Sequence, residues 1–238
     1  MKKVITVCAI LLSFVLEAQQ PGEFIDKRDG KTYKTTVIGT QTWMAENLNS
    51  VTFRNGDTIQ EAKSNEQWLE ASKARKPAWC YYENRAIQDD SINGSNYGKL
   101  YNWYVVNDAR GLAPIGWHIP TDDEWTILIN SCGNLDKKNS NIQQTNCINM
   151  ISKDGWTQFI GENSVGMNVS PSGFRSDENV DPSNLFNTGE FGLVGIEANF
   201  WSSTEIDYNQ SKYRLFHRET ISTNGKKGDG MSVRCLKN

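Results

Sequence analysis

The densest aromatic stretch of the chain runs from Tyr97 to Trp125, and it constrains the fold more than any other part of the sequence. It places three tryptophans and three tyrosines in 29 residues. Large apolar side chains recur at helical spacing in its first part, which predicts a helix over Leu100–Ala109 with a buried aromatic face. The glycine at position 111 would end that helix.

A second helix start follows in the same stretch. Thr121-Asp122-Asp123-Glu124 matches a capping box, in which the Thr121 side chain accepts from the Glu124 N–H and the Glu124 carboxylate accepts from the Thr121 N–H. The two aspartates favour the positive end of the helix dipole, which explains them without a catalytic role. Trp125 begins the apolar stripe of this helix, which is predicted to end near Gly133.

Composition limits the classes of function. The chain has 238 residues, 37% of them hydrophobic and 11% aromatic, and a net charge of −3. This charge provides no basic field for nucleic acid. A core of large aromatic rings compensates for the low apolar content, because each buried ring removes roughly 150–250 Å² from water. We expect one loop-rich α+β domain over residues 23–238.

The N-terminus has the pattern of a secretory signal peptide over residues 1–18. Lys2 and Lys3 precede an apolar run of 13 residues, Val4–Leu16, and Ala18 offers a small residue for cleavage. Cys8 lies inside the run, where an apolar filler is preferred to a lipid anchor. We expect export to the periplasm, the cell surface or the medium, with no membrane span after cleavage.

Turn signals divide the rest of the chain into short elements. Asp29-Gly30 predicts a hairpin between 23–27 and 31–38. Ser64 is the predicted cap of a helix ending near Lys73. Asn224-Gly225 and Asp229-Gly230 are predicted turns. Further strands are predicted at 42–44, 78–82, 117–119, 166–169, 199–203, 213–216 and 231–236.

Export makes disulfides available to the four cysteines beyond the signal, Cys80, Cys132, Cys147 and Cys235. Four cysteines allow three pairings, and the sequence alone does not choose between them. We favour Cys132 with Cys147, which are close in sequence, and Cys80 with Cys235. The cysteines lack the CxxC spacing of zinc sites, so zinc is not expected.

Several phrases together resemble one family, the major paralogous domain of Fibrobacter succinogenes. The resemblance covers nearly the whole chain after the signal, in order. The phrases are RDGKTYKTTVIGTQTWMAENL (28–48), PAWCYY (77–82), YGKLYNWYVVND (97–108), GWHIPTDDEW (116–125), PSGFR (171–175), FWSSTE (200–205) and SVRCLKN (232–238).

This family is in turn similar to the C-type lectin-like fold and, within it, to formylglycine-generating enzymes. The likeness implies a small twisted antiparallel sheet, two flanking helices, long irregular loops and termini that lie close together. The family usually has cysteine where this chain has Ala113. In the lectin-like fold a cysteine near that position often pairs with one in the last strand, so Ala113 weakens the Cys80–Cys235 prediction.

The sequence contains no complete catalytic constellation. A formylglycine-type oxidase holds copper with two late cysteines, whereas this chain has only Cys235 after residue 148. His118 and His217 lie outside any GxSxG-type context, and His118 is expected to be a hydrogen-bonded structural residue. We therefore expect an exported, non-catalytic binding or surface-interaction domain without a cofactor. The alternatives are a divergent enzyme of the formylglycine-generating group and a structural envelope protein.

Half of a calcium motif lies in the polar stretch between the predicted strand 78–82 and the predicted helix that begins at Leu100. Asp89, Ser91 and Asn93 follow the alternating oxygen ligands of a calcium loop, but its twelfth position is Leu100 instead of a glutamate. An ordinary polar loop is therefore the preferred interpretation. The Trp-Asn-Asp phrase of lectin-type sugar sites is also missing, since the nearest phrase here is Phe200–Ser203.

Aromatic side chains remain as candidates for ligand binding. Trp201, Tyr208, Tyr213 and Phe216 could form a stacking platform for a polysaccharide, or contact a protein ligand. Most of the eight tryptophans are expected to belong to the core instead. A binding site is expected in the loops between Gly161 and Gly230.

Overall fold

The computed structural model describes residues 22–84, 97–132, 145–178 and 191–238. Within these ranges the protein is α+β and consists mostly of short strands. The helices are α1 (Asn65–Lys73), α2 (Trp103–Val106) and α3 (Asp122–Cys132). The strands are β1 (Gly22–Ile25), β2 (Thr32–Ile38), β3 (Gln41–Met44), β4 (Gln60–Glu61), β5 (Ala78–Cys80), β6 (Leu100–Tyr101), β7 (Trp117–His118), β8 (Thr145–Asn146), β9 (Ser172–Arg175), β10 (Phe191–Val194), β11 (Ala198–Glu205), β12 (Gln210–Phe216), β13 (Glu219–Lys226) and β14 (Leu236–Lys237).

One sheet joins the beginning and the end of the described chain, in the strand order β1-β2-β3-β14-β7. The predicted hairpin forms between β1 and β2, and the Gly30 N–H donates to the Asp26 carbonyl at 2.8 Å. Gly30 has a φ of +73°, a conformation that glycine adopts without a steric penalty. β14 pairs antiparallel with both β3 and β7. The C-terminal segment thus lies inside the sheet.

A larger sheet has the order β10-β9-β11-β12-β13-β8. Its centre is the antiparallel run β11-β12-β13, and the pairing of β11 with β12 shifts between Trp201 and Glu205. Such a bulge bends a strand and increases its twist, which curls this sheet around the core. β4, β5 and β6 form a third, small sheet.

The two longer helices begin where the sequence predicts. Ser64 caps α1, and its side chain accepts from the Gln67 N–H at 3.3 Å. At α3 the Thr121 Oγ1 accepts from the Glu124 N–H at 3.2 Å, and Glu124 Oε2 accepts from the Thr121 N–H at 2.8 Å. The capping box is confirmed. Among the described residues, no helix is both long and apolar enough to cross a membrane.

The predicted helix over Leu100–Ala109 is wrong at both ends. Its first two residues form β6 and pair with β5. The Asn102 side chain then accepts from the Val105 N–H at 3.3 Å and from the Ala78 N–H at 3.1 Å, so it starts the short helix α2 and anchors it to β5. Pairing with a distant strand outweighs the helical spacing of the apolar residues.

The predicted turn at Asn224-Gly225 is also wrong, because both residues lie inside β13. A Cβ on Gly225 would lie 2.9 Å from Met231 Cε and 3.2 Å from Trp201 Cη2. Glycine at this position does not mark a turn. It allows the strand to pack closely against the core.

Two predicted strands are shorter than expected. The segment 166–169 contributes only an isolated bridge between Val169 and Ile151. Within 231–236, Leu236 alone belongs to a named strand, while Met231 and Ser232 form isolated bridges. Loops from distant parts of the chain form the backbone hydrogen bonds of these two segments. Such long-range pairing leaves no pattern in the local sequence.

Large aromatic rings form the core, as predicted. Seven of the eight tryptophans are buried, and Trp156 is half-buried. Trp43 and Trp125 lie with their ring centroids 4.6 Å apart in a cluster between α3 and the sheets. A second cluster contains Trp103 and Trp201, and a third surrounds Trp68 under α1.

A buried arginine connects three distant segments. Arg234 is 1% exposed, and its Nε and Nη2 donate to Asn47 Oδ1 at 3.0 and 2.7 Å. Its guanidinium also donates to the carbonyls of Met167 and Asn168. Asn47 in turn donates to the Tyr97 carbonyl at 2.8 Å. Hydrogen bonds therefore hold the C-terminal segment, the loop near 167 and the segment after β3 together.

The described residues contain neither predicted disulfide. Cys132, Cys147 and Cys235 have free thiols, so the Cys132–Cys147 and Cys80–Cys235 bonds are both absent. Cys80 packs in the cluster around Trp68 and Cys235 in the cluster around Trp201, so different parts of the core hold them. The Cys147 thiol donates to the His217 carbonyl instead, at a distance of 3.7 Å.

Candidate functional site

A polar cleft opens between the end of α1 and the end of β13, and we call it the α1/β13 cleft. Its volume is about 500 Å³. Side chains of both charges line it, together with amides, a phenol and a hydroxyl. The lining residues are Ser72, Lys73, Arg75, Tyr104, Asp177, Asn209, Gln210, Lys226, Lys227 and Gly228.

The end of α1 directs Arg75 toward the cleft. The helix stops at Ala74, and Arg75 adopts a left-handed φ of +53° that turns the chain away from the helix axis. Its guanidinium donates to the Tyr208 carbonyl at 3.1 Å and to Asn209 Oδ1 at 3.0 Å. The same group lies 3.2 Å from the centre of the Tyr208 ring. Arg75 therefore fixes the orientation of that ring.

The turn between β11 and β12 forms the opposite rim. Asp207 Oδ1 accepts from the N–H groups of Asn209 and Gln210 at 2.7 and 2.8 Å, which holds the turn closed and lowers the pKa of Asp207. Beneath it the buried Lys227 donates to the Asp207 carbonyl at 2.5 Å and pairs with Glu205. The turn is therefore rigidly held, while Tyr208 at its tip is 71% exposed.

Two aspartates meet at the floor of the cleft. Asp229 accepts from the N–H groups of Asp177 and Lys226, each at 3.1 Å. Asp177 Oδ2 accepts from the Ser72 hydroxyl at 3.1 Å. Burial, and next the nearby Asp177 charge, raise the pKa of Asp229 to about 7. One proton is therefore exchanged at this floor near neutral pH.

This pair predicts a pH-dependent stability. The pKa of Asp229 is higher in the folded protein than the ordinary value of 3.8. The contribution of Asp229 to the free energy of unfolding is therefore largest at low pH, and it is lost as the pH rises through about 7. Asp177→Asn removes the neighbouring charge and lowers that pKa. The substitution should therefore stabilise the protein more near pH 8 than near pH 5. We expect the two changes in free energy of unfolding to differ by about 2 kcal/mol.

Urea denaturation at a series of pH values measures this effect. Asp57→Asn is the matched control, because Asp57 is an exposed acid whose pKa is lowered by Asn55 and Arg110, and it should leave the slope between these pH values unchanged. Equal slopes in Asp177→Asn and the unsubstituted protein would contradict the assignment of the proton to this pair.

The structure separates the aromatic residues proposed as a platform. Tyr208 lies on the rim of the cleft with its ring exposed. Trp201 is fully buried, and its Nε1 donates to the Tyr101 carbonyl at 2.8 Å, so the prediction that it stacks on a ligand is wrong. Phe216 is also fully buried, and the half-buried Tyr213 packs against Trp201 with ring centroids 6.2 Å apart. Both faces of β11 and β12 are covered by core, since Trp201 and Tyr213 face one cluster and Phe216 faces the other.

The calcium candidates Asp89, Ser91 and Asn93 lie outside the described residues. Among the described residues, no group of three or more His, Cys, Asp or Glu side chains is arranged to hold a metal ion. Among the described residues that line or adjoin the α1/β13 cleft, Asp177 and Asp229 are two carboxylates that lie close together.

Both histidines lie away from the cleft. His118 Nδ1 is 2.8 Å from Asn238 Oδ1, and its Nε2 is 2.9 Å from Glu124 Oε1. It therefore holds the start of α3 near the C-terminal segment, with both ring nitrogens hydrogen-bonded as expected. His217 contacts Gln158 Oε1 at 3.1 Å and the ring of Phe159.

A second depression of about 540 Å³ lies beside the other face of α1. Its lining includes Phe53, whose ring is covered by Arg110 at 4.0 Å. Arg110 already pairs with Asp57 and Asp108. Within the described residues, no exposed aromatic ring borders this depression. The α1/β13 cleft is therefore the stronger candidate.

The sequence predicted an interval that contains most of the cleft lining, but none of the lining residues was named as a binding candidate. Asn209, Asp177 and Lys227 lie in the expected interval of 161–230, but Arg75 and Tyr104 come from elements far from it in sequence. The sequence does contain turn-forming residues around Asp207 and Asp229, which indicate two rigid turns. It does not indicate that the two turns lie close together.

The comparisons with known proteins give a family and no function. The sequence model of the Fibrobacter succinogenes major domain matches residues 37–237. No curated protein and no solved structure matches the chain significantly. Because the family match covers most of the sequence, the chain belongs to the Fibrobacter succinogenes major domain family.

Proposed function

We propose that this chain is an exported, non-catalytic domain that binds a polysaccharide in the α1/β13 cleft. The observation that carries the proposal is an open polar cleft of about 500 Å³ beside an aromatic ring that is 71% exposed and fixed in orientation. Sugars combine many hydroxyl groups with apolar ring faces. A rigid ring next to clustered donors and acceptors matches both properties.

The charges of the cleft favour a sugar over a protein ligand. Lys226 pairs with Glu178, and Lys227 pairs with Glu205, so part of the charge in the cleft is already balanced. Protein interfaces commonly centre on an apolar patch without charges. Hydrogen bonds to neutral hydroxyls suit a groove of balanced charge, and a protein ligand is the alternative that the binding experiment tests.

Several observations support a non-catalytic role. Cys235 is fully buried in the cluster around Trp201, without the open coordination position that an oxygen-activating copper ion needs. Cys80, Cys132 and Cys147 pack in other parts of the core. The alternatives are a divergent enzyme of that group and a structural envelope protein, and stoichiometric copper on Cys235 would favour the enzyme.

The C-type lectin-like fold is part of this proposal. It is supported by the pairing of β14 with β3, which brings the two ends of the domain together, and by the few helices beside curled antiparallel sheets. Export is supported by the positive and apolar pattern of residues 1–18.

A glycan array with purified residues 19–238 tests the proposal. We expect binding of at least one polysaccharide, and a Kd roughly tenfold higher in Tyr208→Ala, because loss of a stacked ring costs about 1 kcal/mol or more. Titration calorimetry with the bound glycan measures the change. Ile115→Ala is the control, since Ile115 is 79% exposed and is not part of the cleft lining.

Two results would contradict the proposal. One is the lack of any polysaccharide binding at high micromolar concentration. The other is binding that Tyr208→Ala and Asn209→Ala leave unchanged, which would place the ligand elsewhere. Neither variant should alter stability greatly, because Tyr208 is exposed at the tip of a turn.

A further inference from the structure

Lys99 lies in an unusual place for an ammonium group. It is 3% exposed, and its Nζ lies 4.6 Å from the centre of the Trp79 ring and 4.7 Å from that of Tyr81. Lysine is rarely buried to this extent unless a carboxylate pairs with it. Within the described residues, no carboxylate forms an ion pair with Lys99.

A carboxamide takes the place of the carboxylate. Lys99 Nζ contacts the side-chain oxygen of Asn49, and it lies 3.1 Å from the Asn49 carbonyl oxygen. The Tyr81 hydroxyl lies 3.2 Å from the same nitrogen. The amine, the carboxamide and a phenol therefore meet at one partly enclosed point.

The surroundings favour the nucleophilic form of the amine. Burial lowers the pKa of Lys99 to about 8, so a useful fraction of it is uncharged near neutral pH. Burial also raises the pKa of Tyr81, so the phenol stays protonated while its oxygen accepts from Lys99 Nζ. The Trp79 ring shields the site from water, which would otherwise compete as the nucleophile.

We propose that Lys99 and Asn49 become joined by an intramolecular isopeptide bond. The lone pair of the uncharged Nζ attacks Asn49 Cγ, and negative charge develops on Oδ1. The attacking nitrogen loses a proton and Nδ2 gains one. The Cγ–Nδ2 bond then breaks and ammonia leaves. One C–N bond forms and one breaks, so the reaction needs neither an oxidant nor a reductant.

The bond would close a loop of about 50 residues in a domain that lacks disulfides among its described residues. A cross-link that closes a loop of this length reduces the conformational entropy of the unfolded chain and so stabilises the folded protein. We expect Lys99→Arg, which keeps the charge but cannot form the amide, to lower the Tm by roughly 10 °C.

Peptide mapping of the purified full chain tests the bond directly. Trypsin should release residues 35–54 and 86–110 as one branched peptide, lighter than the sum of the two by one ammonia, because it does not cleave after an acylated Lys99. Loss of ammonia from intact protein is insufficient, since cyclisation of Asn49 to a succinimide gives the same mass. The branched peptide distinguishes the two.

The variants complete the experiment. Lys99→Arg and Asn49→Ala should each abolish the branched peptide. Lys227→Arg, which alters a lysine that is also buried but faces Glu205, should retain it. Recovery of separate peptides 86–99 and 100–110 with an unmodified Asn49 from the unsubstituted protein would overturn the proposal, whether or not the variants fold.

Discussion

Trp201→Ala should lower the free energy of unfolding by about 4 kcal/mol, one of the largest losses expected from a single change in this protein. Trp201 is fully buried, packs against Tyr213 and donates to the Tyr101 carbonyl. Its removal leaves a cavity under β11 and takes one of two donors from the Tyr101 carbonyl, which still accepts from the Met231 N–H. Urea denaturation followed by far-ultraviolet circular dichroism measures the loss.

Tyr208→Ala is the matched control for this prediction, because both residues were candidates for the same aromatic platform. Tyr208 is 71% exposed, so its removal should change the free energy of unfolding by less than about 1 kcal/mol. Similar losses in the two variants would contradict the division between a core tryptophan and a surface tyrosine.

Arg234→Met should lower the free energy of unfolding by about 3 kcal/mol. Methionine fills much of the volume, but Asn47 Oδ1 and the Met167 carbonyl lose their donors inside the core. Arg234→Lys should recover only part of the loss, because an ammonium group cannot reproduce the planar set of donors.

Arg218→Met controls for the loss of one positive charge. Arg218 is exposed beside the turn between β12 and β13, so its replacement should have an effect within about 0.5 kcal/mol. Equal denaturation midpoints for Arg234→Met and Arg218→Met would show that the buried hydrogen bonds contribute little.

Local chemistry made parts of this fold predictable. The capping box at Thr121, the cap at Ser64 and the turn at Asp29-Gly30 each depend on side chains within a few residues, and each is confirmed. The helix over Leu100–Ala109 failed because β6 is held by β5 and by the bridge from Tyr101 to Met231. A periodic pattern contains no information about such distant partners.

The candidate site was less predictable for the same reason. Tyr208 was among the residues named from the sequence, and the interval 161–230 contains most of the lining. Arg75 enters the cleft only because α1 ends in a left-handed residue and the turn after β11 reaches it. The contact between Asp177 and Asp229 likewise depends on how β9 and β13 meet, which no local motif specifies.

The position of β14 has a consequence for how this domain assembles during synthesis. The hairpin of β1 and β2, with β3, is synthesised long before β14, the strand that lies between β3 and β7. Until β14 pairs with β3, the edge of β3 that β14 covers remains open. Pairing between strands so far apart in sequence is slow. A chain truncated before Leu236 should therefore leave this edge of β3 exposed, which favours aggregation and proteolysis.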